Sequence, residues 1–532
     1  LINNEEVLLR GGCVHHDHGI LGAACHDESE WRRVRILKEA GFNAIRSSHN
    51  PCSRAMLEAC DFYGMYIMDE SFDMWYNRKT AYDYGLDFET EWENDTRAMV
   101  RKDYNHPSVI LYSIGNEVAE PAEEKGLTYG KKMIDLIHEM DSTRPVTCGL
   151  NLMVMSRAAK GQGIYKDGEQ TTTKKESDKE EKTTNGSLAF NIMASMIGTN
   201  MNKAGNSPKV DALCSPMIDA LDIAGYNYGS GRYPLEGKIH PDRMLIGSET
   251  FPQDIYKNWE MVKKLPYLFG DFMWTSWDYL GEAGLGCWSY TGGVPFNRPY
   301  PWILSGSGVI DITGHADGSC RYASTVWGLE KNPRIAVKPV NHPGVRVSKS
   351  VWRGTNAIES WAFANCTGNK AEIEVYTQSA VVELFLGEKS LGKKKVKECK
   401  AIFKAKYDSK SLTAVAYSAD GKETGRSSLF PATGKLGLRL TKEESRSDIF
   451  YIPVEIVGEN GVVESNADRL LHVSVTGGTL LGFGSANPCH KEEYHTGHFT
   501  TYYGRALAVV RKDSTQCTIS VTDGALVETI KI

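Results

Sequence analysis

Short apolar runs alternate with helical patterns over roughly the first 335 residues of the chain. One helical pattern is clear at residues 28–40, where apolar positions recur at helical spacing and Gly41 supplies a stop. Eight strand–helix units in a segment of this length are typical of a (β/α)8 TIM barrel. A doubly wound sheet is the alternative, but no glycine-rich phosphate loop follows an early strand. The predicted strands are residues 7–13, 44–46, 66–69, 109–114, 145–147, 223–226, 244–247 and 271–274.

The hydrophobic period changes to two after residue 335. Alternating runs and turn signals such as Asp420-Gly421 predict half-buried antiparallel strands, and two β-sandwiches account for their number. The predicted strands are residues 371–376, 380–385, 413–417, 452–457, 470–475 and 518–521. The predicted domains are a TIM-barrel catalytic domain at 1–335, a β-sandwich at 336–431 and an immunoglobulin-like β-sandwich at 432–532.

Composition narrows the class of protein. The 532 residues carry a formal net charge of -6, which argues against nucleic acid as a partner. No apolar run reaches the roughly 18 residues that span a bilayer, so we expect no membrane partner. The 12 cysteines form no CxxC pair, and their apolar surroundings favour buried thiols and a cytoplasmic location. Residues 166–182 hold 11 charged residues, which indicates a solvated loop or, functionally, a lid.

Two glutamates carry the candidate chemistry. Glu117 and Glu249 each end a short apolar run that is interpreted as a buried strand. In a barrel, catalytic groups gather where the strands end. Paired carboxylates at such a place are the usual machinery for cutting a glycosidic bond. Other polar strand-end residues accompany them: His15, His16, Arg46, His49, Asp69, Glu70, Asn116, Tyr226, Asn227, Trp274 and Asp278.

Four motifs in barrel order resemble glycoside hydrolase family 2. They are Gly-Gly-Cys-Val-His-His-Asp at 11–17, Gly-Phe-Asn-Ala-Ile-Arg-Ser-Ser-His-Asn-Pro at 41–51, Tyr-Gly-Met-Tyr-Ile-Met-Asp-Glu at 63–70 and the segment at 106–117. The last of these ends in Ile-Gly-Asn-Glu and is similar to the acid/base signature of the family. The C-terminal part is similar to the β-sandwich domains of bacterial members.

The resemblance implies a role for each residue. Glu117 would be the general acid/base and Glu249 the nucleophile of a retaining reaction. Arg46 would lie beneath Glu249 and keep it ionised by lowering its pKa. Asn116 would bind the sugar 2-hydroxyl, and Tyr226 would donate to the carboxylate of Glu249. The substrate-binding residues that the resemblance implies are His16, Arg46, His49, Asn116, Tyr226, Trp274 and Asp278.

Within the family, the domain plan favours an exo-acting β-galactosidase with a β-galactoside as its carbohydrate substrate. Residues 307–327 lack the Asn-x-Lys pair of β-glucuronidases, which leaves β-glucuronidase or another family 2 β-glycosidase as the alternative. The segment after Glu70 lacks the Glu-x-His of magnesium-binding members, so no metal or other cofactor is expected. The family places two β-domains before the barrel. We therefore expect these missing N-terminal domains as partners, and a homo-oligomer is possible.

Two remote interpretations come from other classes. His16 and His18 share a strand face and resemble the metal pair of amidohydrolases, but the later strands supply no further histidine ligand. A non-catalytic carbohydrate-binding protein would be expected to have lost Glu117, Glu249 or Arg46, and all three are present.

Overall fold

The computed structural model describes residues 2–162, 198–293 and 298–532, in two compact units. The first unit comprises Leu1–His16 and Phe42–Trp274, and the second comprises Asp17–Gly41 and Thr275–Ile532. The charged segment 166–182, interpreted above as a loop or a lid, lies outside the described residues.

Eight parallel strands close a barrel in the first unit, in the order in which they occur along the chain. Closure is made where Gly11 of the first strand pairs with Phe272 of the last. The strands are buried over nearly their whole length, as expected where helices or loops cover both faces of a sheet. The predicted barrel is confirmed. Its strands are β1 (Leu9–Val14), β2 (Ala44–Ser47), β3 (Tyr66–Glu70), β4 (Val109–Asn116), β5 (Val146–Leu150), β6 (Ala224–Asn227), β7 (Leu245–Thr250) and β8 (Leu268–Met273).

Local sequence signals set the helix ends. At the second helix, the Ser53 hydroxyl accepts a hydrogen bond from the Met56 N–H at 3.1 Å, and Gly64 follows in the left-handed conformation. The α-helices are α1 (Asp27–Glu39), α2 (Arg54–Tyr63), α3 (Phe88–Asp103), α4 (Glu124–Met140), α5 (Leu152–Ala158), α6 (Pro208–Ile218), α7 (Tyr233–Ile239), α8 (Ile255–Lys264) and α9 (Gly318–Val326). Short 3-10 helices occupy Gly19–Leu21, Tyr84–Leu86, Glu120–Ala122, Gly198–Asn206, Ser230–Arg232 and Pro252–Asp254. Within the described residues, no helix has the length and hydrophobicity to cross a bilayer.

Several barrel strands run further toward their C-terminal ends than their apolar runs indicate. Strand β4, predicted to end at residue 114, continues through Gly115 to Asn116, and β5 continues to Leu150 rather than ending at residue 147. The extra residues are buried although several are small or polar. Because their polar groups are hydrogen-bonded inside the barrel end, hydrophobicity alone does not reveal where these strands stop.

Helix α1 belongs to the second unit, where it is fixed to the C-terminal β-structure. The guanidinium of Arg32 donates to both carboxylate oxygens of Glu443, each at 2.8 Å, and Arg35 donates to the same carboxylate at 2.8 Å. The hydroxyls of Ser29 and Tyr451 lie 2.7 Å apart. The first helix of the barrel sequence is therefore anchored to residues more than 400 positions later.

Two β-sandwiches complete the second unit, as predicted. Each consists of two antiparallel sheets whose inner faces share one hydrophobic core. The first sandwich has sheet orders β13-β10-β9 and β12-β11-β14-β15, and the second has β16-β17-β21-β19 and β20-β18-β22-β23. Their strands are β9 (Arg334–Val337), β10 (Lys370–Tyr376), β11 (Val381–Leu386), β12 (Lys389–Lys395), β13 (Lys400–Lys406), β14 (Leu412–Tyr417), β15 (Glu423–Leu429), β16 (Gly437–Leu440), β17 (Ile449–Val457), β18 (Leu470–Thr476), β19 (Gly478–Gly484), β20 (His498–Thr500), β21 (Arg505–Lys512), β22 (Thr518–Thr522) and β23 (Val527–Lys531).

Candidate active site

The C-terminal ends of the barrel strands bring the two predicted catalytic glutamates to one rim. Glu117 follows the last residue of β4, and Glu249 lies in β7 one residue before its end. Because all eight strands are parallel, both side chains belong to the face where barrel active sites form. The residues between them come from β2, β3 and β6.

Arg46 is the centre of the polar network at this rim. Its guanidinium is fully buried and donates to Glu249 Oε2 at 3.0 Å. It also donates to Glu70 Oε2 from two nitrogens, at 3.0 and 2.8 Å, and to Asn116 Oδ1 at 2.9 Å. One fixed cation thus orients two carboxylates and one amide, which is the geometric role of a forked guanidinium.

Glu249 is held from several sides. Asn227 Nδ2 donates to its Oε2 at 3.0 Å, and the Tyr228 hydroxyl hydrogen-bonds the same carboxyl group. Burial and, next, the negative charge of Glu117 raise the pKa of Glu249 to about 7, although Arg46 opposes this change. Arg46 was expected to lower the pKa of Glu249; it acts in that direction, but burial and Glu117 outweigh it. The influence of Glu117 indicates that the two carboxyl groups interact electrostatically.

Glu117 is positioned by the strand that follows it in the barrel. Its backbone adopts a φ of 47°, unusual for a residue with a side chain, and its N–H donates to the Gly149 carbonyl at 2.7 Å. Asn151 Nδ2 donates to Glu117 Oε1 at 2.8 Å. The Asn151 Oδ1 atom caps α5 by accepting from the N–H groups of Met153 and Val154. Because the cap fixes its amide, Asn151 presents its nitrogen to Glu117.

A second ion pair supports Asn116. Asn116 Nδ2 and Lys79 Nζ both donate to Asp73 Oδ1, at 2.9 and 2.8 Å, and Lys79 also donates to the Asn116 carbonyl at 2.9 Å. Burial alone would raise the pKa of Asp73, but Lys79 and other neighbours hold it well below its usual range. With Oδ1 facing Arg46 and Nδ2 facing Asp73, the orientation of the Asn116 amide is determined.

An aromatic wall lies beside these polar groups in the first unit. The His49 and Trp274 rings stack with centroids 5.1 Å apart and planes within 2°. The His15 ring is nearly perpendicular to both rings, with its centroid 5.6 Å from that of His49 and 5.2 Å from that of Trp274. His49 Nδ1 lies 2.7 Å from Glu70 Oε1, which links the wall to the Arg46 network. His16 is half-buried.

Glu70 links the Arg46 network to His49 of the aromatic wall. Burial acts to raise the pKa of Glu70, but Arg46, His49 and the Ser113 hydroxyl outweigh it, and the pKa is lowered. The Glu70 carboxylate accepts from Arg46 on one side and contacts His49 on the other, which fixes both side chains.

The prediction that Tyr226 donates to Glu249 is wrong. The Tyr226 hydroxyl instead donates to Glu236 Oε1 at 2.8 Å, and its ring stacks on Tyr233 of α7. Strand β6 ends at Asn227, and Tyr228 follows with a φ of 51°, outside the extended conformation. The alternation of side chains along a strand therefore stops before Tyr228, and the tyrosine that reaches Glu249 lies two residues later than predicted.

Asp278 lies in the second unit. Its Oδ1 accepts from the Gly308 N–H at 3.2 Å, and burial is the main cause that raises its pKa to about 7. It lines a cavity of about 100 Å³ within that unit together with Asp317, Arg353 and Tyr502. Its role as an acceptor for a sugar hydroxyl stays a prediction.

Sequence reasoning missed Asn151, Tyr228 and Lys79, and listed Asn227 only as a polar strand-end residue. Asn151 follows β5 directly, and the strand-end rule would have selected it had the strand not been ended at residue 147. Lys79 lies in the segment between β3 and α3, where no pattern marks it.

A group of potential metal ligands lies outside the proposed catalytic residues. Among the residues that the structure describes, one group of His, Cys, Asp or Glu has ligand atoms close enough to share an ion, namely His18, Cys25 and Glu30. None of these is a predicted catalytic residue. The expectation that catalysis needs no metal stays a prediction.

Known protein-family domains match most of the chain. The description "Glycosyl hydrolases family 2, TIM barrel domain" matches residues 1–205, and "Glycoside hydrolase family 2 C-terminal domain 5" matches residues 439–526. A "Domain of unknown function (DUF4982)" matches residues 368–425. The part of the barrel that contains β1 to β5 and most of the last sandwich are therefore both matched by domains of one family.

Three relatives are similar to this chain over at least 90% of its length. "Beta-galactosidase BoGH2A" of Bacteroides ovatus is 26% identical over 574 residues, covering 96% of this chain and 59% of the relative. A "Putative beta-glucuronidase" of Formosa agariphila is 28% identical, covering 90% of this chain and 43% of the relative. A crystal structure of a "glycosyl hydrolase family 2 (GH2) member from Bacteroides cellulosilyticus" is 31% identical with a TM-score of 0.82, covering 100% of this chain and 63% of that one.

The chain thus spans between 43% and 63% of the length of these three relatives. Its barrel, its C-terminal domain and its motifs at 11–17, 41–51, 63–70 and 106–117 agree with one another. The chain belongs to glycoside hydrolase family 2.

Proposed function

We propose that the chain is the catalytic part of a retaining exo-β-glycosidase, with Glu249 as nucleophile and Glu117 as general acid/base. One observation carries this proposal. The Glu249 carboxylate is fixed by Arg46 and Asn227 while the charge of Glu117 acts on it. Two interacting carboxyl groups on separate strands of one barrel rim suit the double displacement of retaining enzymes.

In the first step, Glu249 attacks the anomeric carbon of the sugar and forms an ester. Glu117 gives its proton to the glycosidic oxygen, so that the aglycone leaves as an alcohol. Arg46 and Asn227 bind only Oε2 of the nucleophile, at 3.0 Å each. This arrangement orients the carboxylate for attack.

In the second step, water replaces the aglycone. Glu117, now ionised, takes a proton from the water, whose oxygen attacks the anomeric carbon and releases Glu249 as a carboxylate. Asn151 would hold Glu117 in place during both transfers, because its donor atom is fixed by the helix cap. The anomeric configuration is retained.

Residues of the first unit near Glu117 and Glu249 would bind the sugar. Asn116 would hydrogen-bond the 2-hydroxyl through Nδ2, whose second N–H is left by the contact to Asp73. His16 and His49 would bind other hydroxyls, and Trp274 would stack on the apolar sugar face.

We propose β-galactosides as the substrate class. The support is the similarity to the Bacteroides ovatus protein named a β-galactosidase, together with the absence of an Asn-x-Lys pair at 307–327. The Formosa agariphila relative, named a putative β-glucuronidase, keeps β-glucuronides as the second candidate. Because the chain spans only part of these relatives, we also propose that β-domains preceding the barrel complete the sugar pocket.

A panel of nitrophenyl β-glycosides tests the proposal, with and without the upstream polypeptide. We expect the unsubstituted chain to hydrolyse the β-galactoside. Glu249→Gln should lower kcat by more than about 1,000-fold, because the nucleophile is lost. Glu117→Ala should lose about 100- to 10,000-fold on substrates that need acid assistance. Azide should restore part of its turnover on activated aryl glycosides.

The matched control is Glu58→Gln, an exposed glutamate on α2 whose loss should leave the rates unchanged. Normal turnover in Glu249→Gln would remove that residue from the nucleophile role. Faster hydrolysis of the β-glucuronide than of the β-galactoside would replace the proposed sugar and leave the mechanism in place.

A further inference from the structure

Three potential metal ligands meet where the chain enters α1, in the second unit. His18 Nε2 and Cys25 Sγ each lie 3.7 Å from Glu30 Oε1. All three ligand atoms lie within 4.8 Å of one another. They are an imidazole, a thiol and a carboxylate, and none is among the residues proposed for catalysis or sugar binding.

Glu30 is oriented toward the other two side chains. Arg33 donates to its Oε2 from Nε at 3.3 Å and from a terminal nitrogen at 2.8 Å. The carboxylate therefore turns its Oε1 to His18 and Cys25. Carboxylate ligands of metals are commonly fixed in this way by a hydrogen bond to the oxygen that does not bind the ion.

The cluster is buried at its base and open at one side. The side chains of His18 and Glu30 are 3% and 2% exposed, whereas Cys25 is exposed. An ion could therefore enter at the thiol and reach two ligands that are shielded from water. Such shielding strengthens the attraction between an ion and its anionic ligands.

We propose that His18, Cys25 and Glu30 bind a Zn²⁺ ion. Bond lengths of about 2.0–2.3 Å in a tetrahedral site separate the ligand atoms by about 3.3–3.8 Å, and the two 3.7 Å separations to Glu30 lie in this range. Nitrogen and sulfur ligands disfavour Mg²⁺ and Ca²⁺, which take oxygen ligands. A water molecule would occupy the fourth position.

The local charges can accommodate a divalent cation. Asp27 and Glu30 both act electrostatically on Cys25, and a bound thiolate would add a third negative charge. Arg33 provides the opposing positive charge. With Zn²⁺ bound, the three negative charges cancel those of Arg33 and the ion, and the net charge is close to zero. Without the Cys25 thiolate, the ion and Arg33 would leave an excess of positive charge. Cys25 is therefore the ligand on which binding should depend.

The test is a zinc titration of the chelator-treated 532-residue chain, with zinc chloride alone as the ligand and a chromophoric chelator as competitor. We expect one zinc equivalent per chain. With Co²⁺ in its place, we expect thiolate-to-cobalt charge-transfer absorption, a readout that does not involve activity. Cys25→Ser should weaken zinc binding about 100-fold or more and abolish this absorption.

The control is Cys399→Ser, which removes a partly exposed thiol far along the chain and should leave both signals unchanged. Glu30→Gln provides a second ligand variant, and circular dichroism shows whether it folds. If it does not fold, the exposed Cys25 variant decides the question. The absence of zinc binding in the unsubstituted chain would overturn the proposal, and so would equal binding by Cys25→Ser.

Discussion

Tyr226 and Tyr228 differ by two positions and have different chemical surroundings. Tyr226 gives its single hydroxyl hydrogen to Glu236, outside the catalytic network. Tyr228 hydrogen-bonds Glu249, and that contact lowers the carboxyl pKa. This pair of residues provides a sharp test of how the nucleophile is held.

Tyr228→Phe should lower kcat by about 10-fold or more, because a hydrogen bond to the charged Glu249 is lost. Its loss should also raise the pKa of Glu249 above about 7 and move the acidic limb of the kcat/KM profile to higher pH. Tyr226→Phe is the matched variant and should keep the acidic limb in place. An identical pH profile in both variants would contradict the assignment.

Glu249 should also make the free energy of unfolding depend on pH. Its pKa is raised from 4.5 to about 7 in the folded state, so the folded state binds the proton more tightly. The stability that this proton contributes is present below pH about 4.5 and is lost as pH rises through about 7. Glu249→Gln removes this dependence. Relative to the unsubstituted chain, the variant should therefore gain up to about 3 kcal/mol between pH 5 and pH 8.

Urea unfolding at the two pH values measures this difference. Lost contacts to Arg46 affect the variant at both pH values, so the change between them isolates the proton. Glu58→Gln, exposed on α2, should show no such change. A stability difference that does not depend on pH would show that Glu249 is ionised throughout.

At the scale of secondary-structure elements, strand β5 has no room for a side chain at Gly149, beside the active-site network. A Cβ atom on Gly149 would lie 2.6 Å from a terminal nitrogen of Arg46 and 3.0 Å from Asn227 Oδ1. The Gly149 carbonyl also accepts the Glu117 N–H. This strand therefore makes room for the cation and positions the acid/base residue together.

Gly149→Ala should displace Arg46 and lower kcat/KM by about 100-fold, since small misplacements at a reacting centre are costly. Gly437→Ala in β16 is the control, because nothing lies within 4 Å of the added atom. Unchanged kinetics in Gly149→Ala would mean that Arg46 can move without loss of function.

The elements also show what sequence patterns can predict. Periodicity identified the eight barrel strands, α1 and two sandwiches, because burial imposes a strong pattern on them. It misplaced strand ends at β5 and β6, where polar residues are buried in hydrogen bonds. Asn151 and Tyr228 lie just past those ends, and their roles depend on a helix cap and a left-handed backbone that hydrophobicity does not encode.

At the scale of the whole molecule, the second unit depends on an ion cluster. Arg32 and Arg35 of α1 share the carboxylate of Glu443, which lies between β16 and β17. The side chains of Arg32 and Glu443 are 6% and 17% exposed, so water screens the pair only partly. Burial opposes ionisation of Glu443, but the two arginines outweigh it and lower the pKa.

Glu443→Ala should destabilise the chain by about 2–4 kcal/mol, because Arg32 would be left buried without its partner. Since the pKa of Glu443 is lowered, its contribution should be present above its unfolded pKa and decline as pH falls through the folded value. Thermal unfolding at several pH values measures both effects. Glu39→Ala, which removes an exposed partner of Arg35, should cost less than about 1 kcal/mol. Equal losses in the two variants would contradict this account.

The membership of α1 in the second unit limits how the gene can be recombined. The chain passes between the units after His16, Gly41 and Trp274, so the two units are interleaved along the sequence. A single crossover near residue 335 between two homologous genes would inherit Arg32 from one parent and Glu443 from the other. Only parents that keep both charges would give a stable hybrid, so the two distant positions should change together during divergence.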